Sequence, residues 1–417
     1  MSSPTLTWNI AAVATAGVIL RPFGVPEAIW AVGGAALLVG LQLLSPEDAL
    51  TGVGRGADVY LFLTGMMLLA EVARKEGLFD WLAALAARRA KGSAKRLFLL
   101  VYAVGVLVTV FLSNDATAVV LTPAIAAAVR AAKVEKPLPF LLISAFVANA
   151  ASFVLPISNP ANLVIYAGAM PPLMAWLARY LLPSALAIAA TYAALRWTQR
   201  DALRQTIAVE VELPALGRAG KMAAAGIAAT AIALLAASAL DRPLGLPTAI
   251  AGGLTAALVL ILERKGPWDA IKDISWGVLP LVAGLFVLVE ALERTGLIGA
   301  VAAFLHDHAQ SAPLATAWGA GAAVALGSNL VNNLPAGVAA ASAVQGAHVP
   351  DAVTRAVLIG VDIGPNLSVT GSLATILWLT ALRREGLKVS AWTFLKLGAL
   401  AMPPALILAL GASLALG

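Results

Sequence analysis

The sequence contains no cysteine and little charge. The absence of cysteine among 417 residues excludes disulfides, thiolate metal sites and a cysteine nucleophile. Charged residues make up 12% of the chain, against roughly a quarter of a soluble domain. Hydrophobic residues make up 60%, whereas soluble proteins contain roughly half. This composition predicts a membrane protein with many helical spans.

The motifs of common enzyme classes are also missing. The chain has no Gly-rich loop followed by Lys and Ser or Thr, so it does not itself hydrolyse ATP, and it has no dinucleotide fingerprint, redox motif or paired nucleophile and base. Its three histidines fall in loops without metal-ligand spacing. The net charge of +6 comes from basic residues in short loops, which argues against a nucleic-acid partner. We therefore expect a transporter without enzyme activity, cofactor or metal, driven by an ion gradient or by a partner ATPase.

Ten apolar segments are candidate transmembrane spans, judged against the ~20 residues that a helix needs to cross a bilayer. They lie near residues 8–20, 26–44, 58–72, 138–168, 172–197, 221–240, 247–263, 276–291, 351–382 and 391–416. The first is interpreted as a retained span because the residues before it lack the basic region of a secretory signal. Two further apolar runs, 96–131 and 312–345, are each interrupted by polar residues. They suit re-entrant hairpins, with a pair of short spans as the alternative, and the amphipathic segments 76–96 and 293–310 suit interfacial helices.

The two halves of the chain resemble each other. The stretches "GMMLLAEVARKEGL" and "GLFVLVEALERTGL" lie 219 residues apart and align Glu71 with Glu290. Both glutamates fall at span ends, which favours a structural role. A similar offset of 215 carries Ser113 onto Ser328, which places the polar break of the second hairpin opposite that of the first. These matches predict an internal repeat.

The predicted fold is an all-α polytopic membrane protein with two inverted-topology repeats of about five transmembrane helices each. Each repeat contains one re-entrant hairpin and one unwound helix, and five spans per repeat would invert the second relative to the first. The predicted boundaries are 1–197 for the first repeat, 198–220 for a cytoplasmic linker and 221–417 for the second repeat. This topology puts 23 of the 28 Lys and Arg inside, as the positive-inside rule requires, and both termini outside a bacterial inner membrane.

Four polar breaks interrupt the apolar runs. They are "FLSNDATAVVLTP" (111–123), "LPISNPAN" (155–162), "GSNLVNNLPAG" (327–337) and "VDIGPNLSVTGS" (361–372). Two of them join Pro to Asn and Ser inside a predicted span, which is typical of a helix that unwinds and exposes its backbone. Half-helix N-termini then meet near the membrane midplane, where they can bind a small polar solute.

Two carboxylates fall within these breaks. A charged Asp115 or Asp362 in hydrocarbon would cost several kcal/mol, which favours a functional role. The alternative for Asp115 is a helix N-cap. Residues 97–129, 137–178 and 295–354 contain no Lys or Arg, so the site suits a neutral, hydroxyl-bearing solute, although helix N-termini can also hold anions.

The segments "FLSNDATAVVLTP", "ASFVLPISNPANLVIYAG", "GSNLVNNLPAG" and "GVDIGPNLSVTGSLATILWL" resemble those of the ArsB-type arsenite efflux permeases. These are the arsenical pump membrane proteins of the ion-transporter superfamily, and the resemblance covers the whole chain. It implies export of arsenite and antimonite from the cytoplasm, either as a proton-coupled antiporter or together with a soluble, arsenite-stimulated ATPase. It also implies inverted repeats with paired hairpins and Asn-rich unwound helices around the substrate.

Under this resemblance, the absence of cysteine has a chemical meaning. Trivalent arsenic bonds avidly to thiolates, so a chain without them must recognise arsenious acid as a neutral triol through hydroxyls and amides. The candidate substrate-binding residues are Ser113, Asn114, Thr117, Ser158, Asn159, Asn162, Asn329, Asn332, Asn333, Asn366, Ser368 and Thr370. Asp115 and Asp362 would be the proton carriers.

Two other functions remain open on the sequence. One is a sodium/proton antiporter or other small-ion carrier of the same superfamily, in which Asp115 and Asp362 bind the cation directly. It predicts transport that requires sodium and ignores arsenite. The other is a membrane scaffold or receptor without turnover, which does not explain four polar breaks matched in pairs.

Overall fold

The computed structural model describes residues 3–166 and 170–416. Within these ranges every regular element is helical, and the only β-type pairing is an isolated antiparallel bridge between Ser93 and Thr206. The prediction of an all-α polytopic membrane protein is confirmed.

The first half of the chain forms eleven α-helices. They are α1 (Ser3–Leu20), α2 (Glu27–Gly40), α3 (Pro46–Arg55), α4 (Ala57–Lys75), α5 (Leu78–Arg89), α6 (Ala94–Phe111), α7 (Asn114–Ala116), α8 (Thr122–Ala131), α9 (Leu138–Ala150), α10 (Pro160–Ile165) and α11 (Leu173–Thr198). A π-helical stretch, 117–121, joins α7 to α8, so the segment after the break at Ser113 is one continuous helical arm.

The second half repeats this order. Its helices are α12 (Arg218–Ala239), α13 (Gly245–Glu263), α14 (Trp268–Ile271), α15 (Val278–Arg294), α16 (Leu297–Ser311), α17 (Pro313–Val331), α18 (Asn333–Ala347), α19 (Asp351–Ile363), α20 (Leu373–Arg384) and α21 (Ala391–Ala415). In both halves a long helix is followed by an amphipathic helix, a hairpin, a broken helix and a final long helix.

Among the described residues, seven helices are long and apolar enough to cross a membrane, and an eighth span results if the bent pair α3–α4 is counted as one. The seven are α1, α6, α11, α12, α13, α17 and α21. The other predicted spans contain shorter helices, namely α2, α15 and the broken pairs α9–α10 and α19–α20. Helices α6 and α17 are also the first arms of the predicted hairpins. Length and composition do not distinguish a full span from a re-entrant arm, so their re-entrant course stays a prediction.

Both predicted breaks inside long spans are present. The first lies between Ala150 and Pro160 and contains a 3₁₀ turn at Pro156–Ser158, and Pro160 then opens α10. The second lies between α19 and α20 and contains a 3₁₀ turn at Gly364–Leu367. Proline has no N–H group and restricts the residue before it, which is why the helices cannot continue through these positions.

The amphipathic helices α5 and α16 follow sharp turns at matched glycines. Gly77 and Gly296 have φ values of 73° and 82°, a left-handed conformation that glycine adopts without steric strain. Helix α3 is not among the elements predicted from the sequence, and it meets α4 at an angle of 49°. This helix carries Glu47, Asp48 and Arg55 within ten residues, so it lacks the apolar run that identifies a span.

The broken helix of each half packs against the hairpin of the other half. Helix α10 contacts α18, and α20 contacts the π-helical stretch 117–121 of the first hairpin. Helices α11 and α21 pack against each other. The rings of Phe146 in α9 and Phe394 in α21 also stack, with centroids 4.8 Å apart. These contacts bring all four polar breaks to the centre of the molecule.

Candidate functional site

Four helices begin around the centre of the molecule, each with a side chain that caps its first turn. Asn159 Oδ1 accepts a hydrogen bond from the backbone N–H of Ala161 at 3.0 Å, at the start of α10. Equivalent caps are Ser113 for α7, Asn332 for α18 and Ser372 for α20, with distances of 3.2, 3.3 and 3.1 Å. Each cap satisfies one N–H group, and the other N–H groups of the first turn still give these ends a positive potential.

A small cavity of about 20 Å³ lies where these N-termini converge. We call it the central cavity. Its polar lining consists of Asn114, Asp115, Asn159 and Asn333, and its remaining lining residues are Leu63, Pro160, Val278, Leu334 and Leu373. Among the described residues that line it, Asp115 is the only charged one. The central cavity therefore offers amides, helix N-termini and one carboxylate.

Asp115 also lines a second, larger cavity of about 80 Å³, which we call the vestibule. The two cavities share Leu63, Asp115 and Val278, and Ser113 lines the vestibule beside Asp115. In the part of the chain that the structure describes, no hydrogen bond or ion pair reaches the Asp115 carboxylate. Its side chain is thus free to interact with a solute or a proton from either cavity.

The vestibule has two further acidic residues in its lining. It is lined by Glu71 and Asp273, and Lys75 lies 2.7 Å from the Asp273 carboxylate and 3.2 Å from that of Glu71. Its hydrogen bond to Asp273 lowers the pKa of that carboxyl. Glu71 also accepts two hydrogen bonds from Arg74, at 2.7 and 2.9 Å. An ion-paired Glu71 agrees with the structural role expected from the sequence.

Asp362 occupies a different environment from Asp115. Its side chain is fully buried and lines neither cavity. One carboxylate oxygen accepts a hydrogen bond from Asn159 Nδ2, while the other has no hydrogen-bond partner among the described residues. Asn159 therefore separates Asp362 from the central cavity and contacts both.

The other predicted binding residues hold the unwound segments in place and line neither cavity. They are Thr117, Ser158, Asn162, Asn329, Asn332, Asn366, Ser368 and Thr370. Asn162 Nδ2, for example, donates to the carbonyl of Ser152 at 2.9 Å, and Asn329 Nδ2 donates to that of Gly364 at 2.9 Å. Side-chain hydrogen bonds of this kind replace those that the backbone loses where a helix unwinds.

One member of this network, Asn149, is not among the residues predicted from the sequence. Asn149, at the end of α9, donates from Nδ2 to Asn366 Oδ1 at 3.0 Å, and Asn366 Nδ2 donates to the carbonyl of Phe146 at 3.0 Å. Asn149 lies 213 residues before Asp362, so the internal repeat contained a signal for it. Among the described residues, no cluster of three or more His, Cys, Asp or Glu could hold a metal ion.

A comparison with protein families identifies the chain. The model of the CitMHS family, described as "Citrate transporter", matches residues 11–360. The chain belongs to the CitMHS family. It is therefore a multi-pass membrane transporter, which agrees with the helical spans and with the polar site at their centre.

Curated relatives include other transporters. An arsenical pump membrane protein of Yersinia enterocolitica is 27% identical over 375 residues, which cover 83% of each chain. The arsenical pump membrane protein of Escherichia coli K12 is 25% identical over 423 residues, which cover 95% of each chain. An uncharacterized transporter of Mycobacterium tuberculosis is 25% identical over 410 residues, which cover 94% of each chain.

Two solved transporter structures share the fold of this CitMHS member. The YdaH transporter of Alcanivorax borkumensis superposes with a TM-score of 0.60 at 16% identity, over 99% of this chain and 97% of that one. MtrF of Neisseria gonorrhoeae, described with a class of antimetabolite efflux pumps, gives a TM-score of 0.53 at 12% identity, over 99% and 94%. At these identities the likeness concerns the fold alone.

Proposed function

We propose that this protein exports arsenite and antimonite, as neutral trihydroxy species, across the bacterial inner membrane in exchange for protons. The central cavity is the observation that carries the proposal, because its polar lining is three amides and one carboxylate, with no thiol. The relatives named arsenical pump membrane protein support the choice of solute.

The cavity has the chemistry that a small triol requires. A hydroxyl group both donates and accepts hydrogen bonds, so three of them need partners of both kinds. Asn114, Asn159 and Asn333 carry amide groups, the helix N-termini supply N–H donors, and Asp115 supplies a strong acceptor. Arsenic bound to thiolates would be held too tightly for rapid release, and this chain has no cysteine with which to form such a bond.

Proton exchange follows from the position of Asp115. Inside the cell the carboxylate accepts a hydrogen bond from the solute, and protonation from outside removes that acceptor and favours release. Asp362 is the second proposed proton carrier. Its protonation acts on the site through Asn159, whose amide it orients.

Two repeats of inverted topology, residues 1–197 and 221–417, are joined by the cytoplasmic linker 198–220. Movement of one repeat against the other exposes the central cavity alternately to the two sides of the membrane. The matched turns at Gly77 and Gly296 support this division, as do the reciprocal contacts between each broken helix and the opposite hairpin. The lining residues that the central cavity shares with the vestibule support a state open towards the side that carries Lys75 and Asp273.

The family description raises citrate as a second candidate, and four converging helix N-termini would favour an anion. Against it, the central cavity contains the Asp115 carboxylate, and no Lys, Arg or His is among the described residues that line it. Placing three further carboxylates beside Asp115 would be opposed by charge repulsion. We therefore place citrate second.

The test is uptake by everted membrane vesicles that contain no ATP. Proton-driven accumulation of arsenite is expected without sodium, and Asp115→Asn should abolish it while keeping arsenite affinity within about tenfold, or ~1.4 kcal/mol. Asp241→Asn is the matched control, since Asp241 is exposed on a loop and has a φ of 52°, which asparagine tolerates.

Uptake of citrate instead of arsenite, an absolute requirement for sodium, or wild-type transport by Asp115→Asn would each contradict the proposal. If transport instead requires added ATP and a soluble ATPase, ATP hydrolysis replaces proton exchange as the energy source, which is the alternative stated in the sequence analysis.

A further inference from the structure

Five exposed basic residues are clustered where α5 ends and α6 begins, and we call them the basic strip. They are Arg88, Arg89, Lys91, Lys95 and Arg96. In the part of the chain that the structure describes, none of them forms an ion pair. The neighbouring cations Arg74, Lys75 and Arg130 are each paired with a carboxylate. The basic strip thus presents five uncompensated charges within nine residues.

The backbone of the strip is held in place by the segment after α11. The carbonyl of Gly92 accepts a hydrogen bond from the N–H of Ile207 at 3.3 Å, and Ser93 bridges to Thr206. Ser93 Oγ also caps α6 by accepting from the N–H of Arg96 at 3.3 Å. A charged turn that is already ordered loses less entropy when it binds a partner.

The exposed face of α6 fixes the depth of the strip in the membrane. Residues 96, 99, 103, 107 and 111 are exposed and recur every three or four positions, so they lie on one side of the helix. Leu99, Leu107 and Phe111 are 47%, 50% and 38% exposed. An exposed apolar stripe on a helix long enough to span the membrane faces hydrocarbon, and Arg96 lies about one turn, roughly 5 Å, beyond it. This is the level of the lipid headgroups.

We propose that the basic strip is a binding surface for anionic phospholipid headgroups. Guanidinium and ammonium groups pair with phosphodiester oxygens, and clusters of Lys and Arg next to a transmembrane helix attract anionic lipid. The positive-inside rule explains why cations lie on this face. It does not require them to be clustered, unpaired and held by backbone hydrogen bonds at the end of a lipid-facing stripe.

The test measures the dissociation constants of phosphatidylglycerol and phosphatidylcholine by native mass spectrometry of the purified full-length protein in detergent. The test variant combines Lys91→Gln, Lys95→Gln and Arg96→Gln. The control variant keeps the charge by combining Lys91→Arg, Lys95→Arg and Arg96→Lys. Each lost cation should weaken phosphatidylglycerol binding roughly fivefold, or about a hundredfold for three. The control should keep its preference for phosphatidylglycerol.

Equal affinities for the two lipids in the wild type, or an unchanged affinity for phosphatidylglycerol in the test variant, would overturn the proposal. A control variant that loses affinity as strongly as the test variant would also overturn it. If the triple variant does not fold, the single variant Arg96→Gln replaces it, and its affinity for phosphatidylglycerol should fall roughly fivefold. Inorganic phosphate should not reproduce the rise in melting temperature that phosphatidylglycerol gives, and an equal rise would indicate a simple anion site instead.

Discussion

The hydrogen bond between Asn159 and Asp362 gives the sharpest prediction. Asn159→Ala removes two interactions at once, the cap on Ala161 and the donor to the buried Asp362 carboxylate. Loss of a cap costs about 1 kcal/mol, and a hydrogen bond to a charged group contributes roughly 1.5–3 kcal/mol. We expect Asn159→Ala to lower the free energy of unfolding by roughly 2.5–4 kcal/mol.

A double-mutant cycle combines this change with Asp362→Asn, which replaces the carboxylate by a neutral amide that still accepts a hydrogen bond. In this background Asn159→Ala should cost only about 2 kcal/mol, because a neutral acceptor left unpaired is cheaper than a charged one. The two changes should therefore be non-additive by roughly 0.5–2 kcal/mol.

Ser372→Ala is the matched control. Ser372 caps α20 as Asn159 caps α10 and lies 213 residues later, but no hydrogen bond joins it to Asp362. It should cost about 1 kcal/mol in both backgrounds. Unfolding in mixed detergent micelles, followed by the fluorescence of the ten tryptophans, measures all variants. Additive effects of Asn159→Ala and Asp362→Asn would refute the pairing of a charged Asp362 with Asn159.

Two further predictions address topology and binding. Single cysteines in this cysteine-free chain should label Asp201→Cys from the inside only and Asp307→Cys from the outside only, and labelling of both from one side would contradict the inverted repeats. Asn333→Ala should raise the KM for arsenite without loss of stability, whereas Asn162→Ala should lower the melting temperature, since Asn162 donates to three backbone carbonyls. Thermal unfolding and vesicle uptake distinguish them, and the same effect in both variants would show that the division between lining and supporting amides is wrong.

The positions of the long helices and of the polar breaks could be predicted from the sequence because they depend on local properties. Span length and apolar composition identify α11, α12 and α21, and Pro160 is a local reason for α10 to begin where it does. Helix α3 was not predicted because its charged residues are paired only in the folded structure. Arg55 reaches Glu290 of α15 at 3.0 Å, a contact that no local pattern contains.

The direction of each polar side chain could not be predicted in the same way. Asn159 and Asn162 lie one helical turn apart, yet Asn159 lines the central cavity and Asn162 supports the unwound segment. In an unwound segment the helical period no longer relates sequence position to direction, so tertiary hydrogen bonds decide which amides face the solute. Asn149 was missed for a related reason, since a single amide in an otherwise apolar helix resembles interhelical packing.

The caps also explain why one carboxylate matters more than the number of polar residues suggests. The oxygens of Asn114 and Asn159, which line the central cavity, already accept backbone N–H groups, so these side chains have less acceptor capacity left for a solute. The free N–H groups of four first turns add donors. A cavity rich in donors binds a hydroxyl-bearing solute well only if it also contains an acceptor, and among the described lining residues Asp115 is the strongest. Under the proposed function, a proton and the solute therefore compete for the same carboxylate, and this competition is what an exchanger requires.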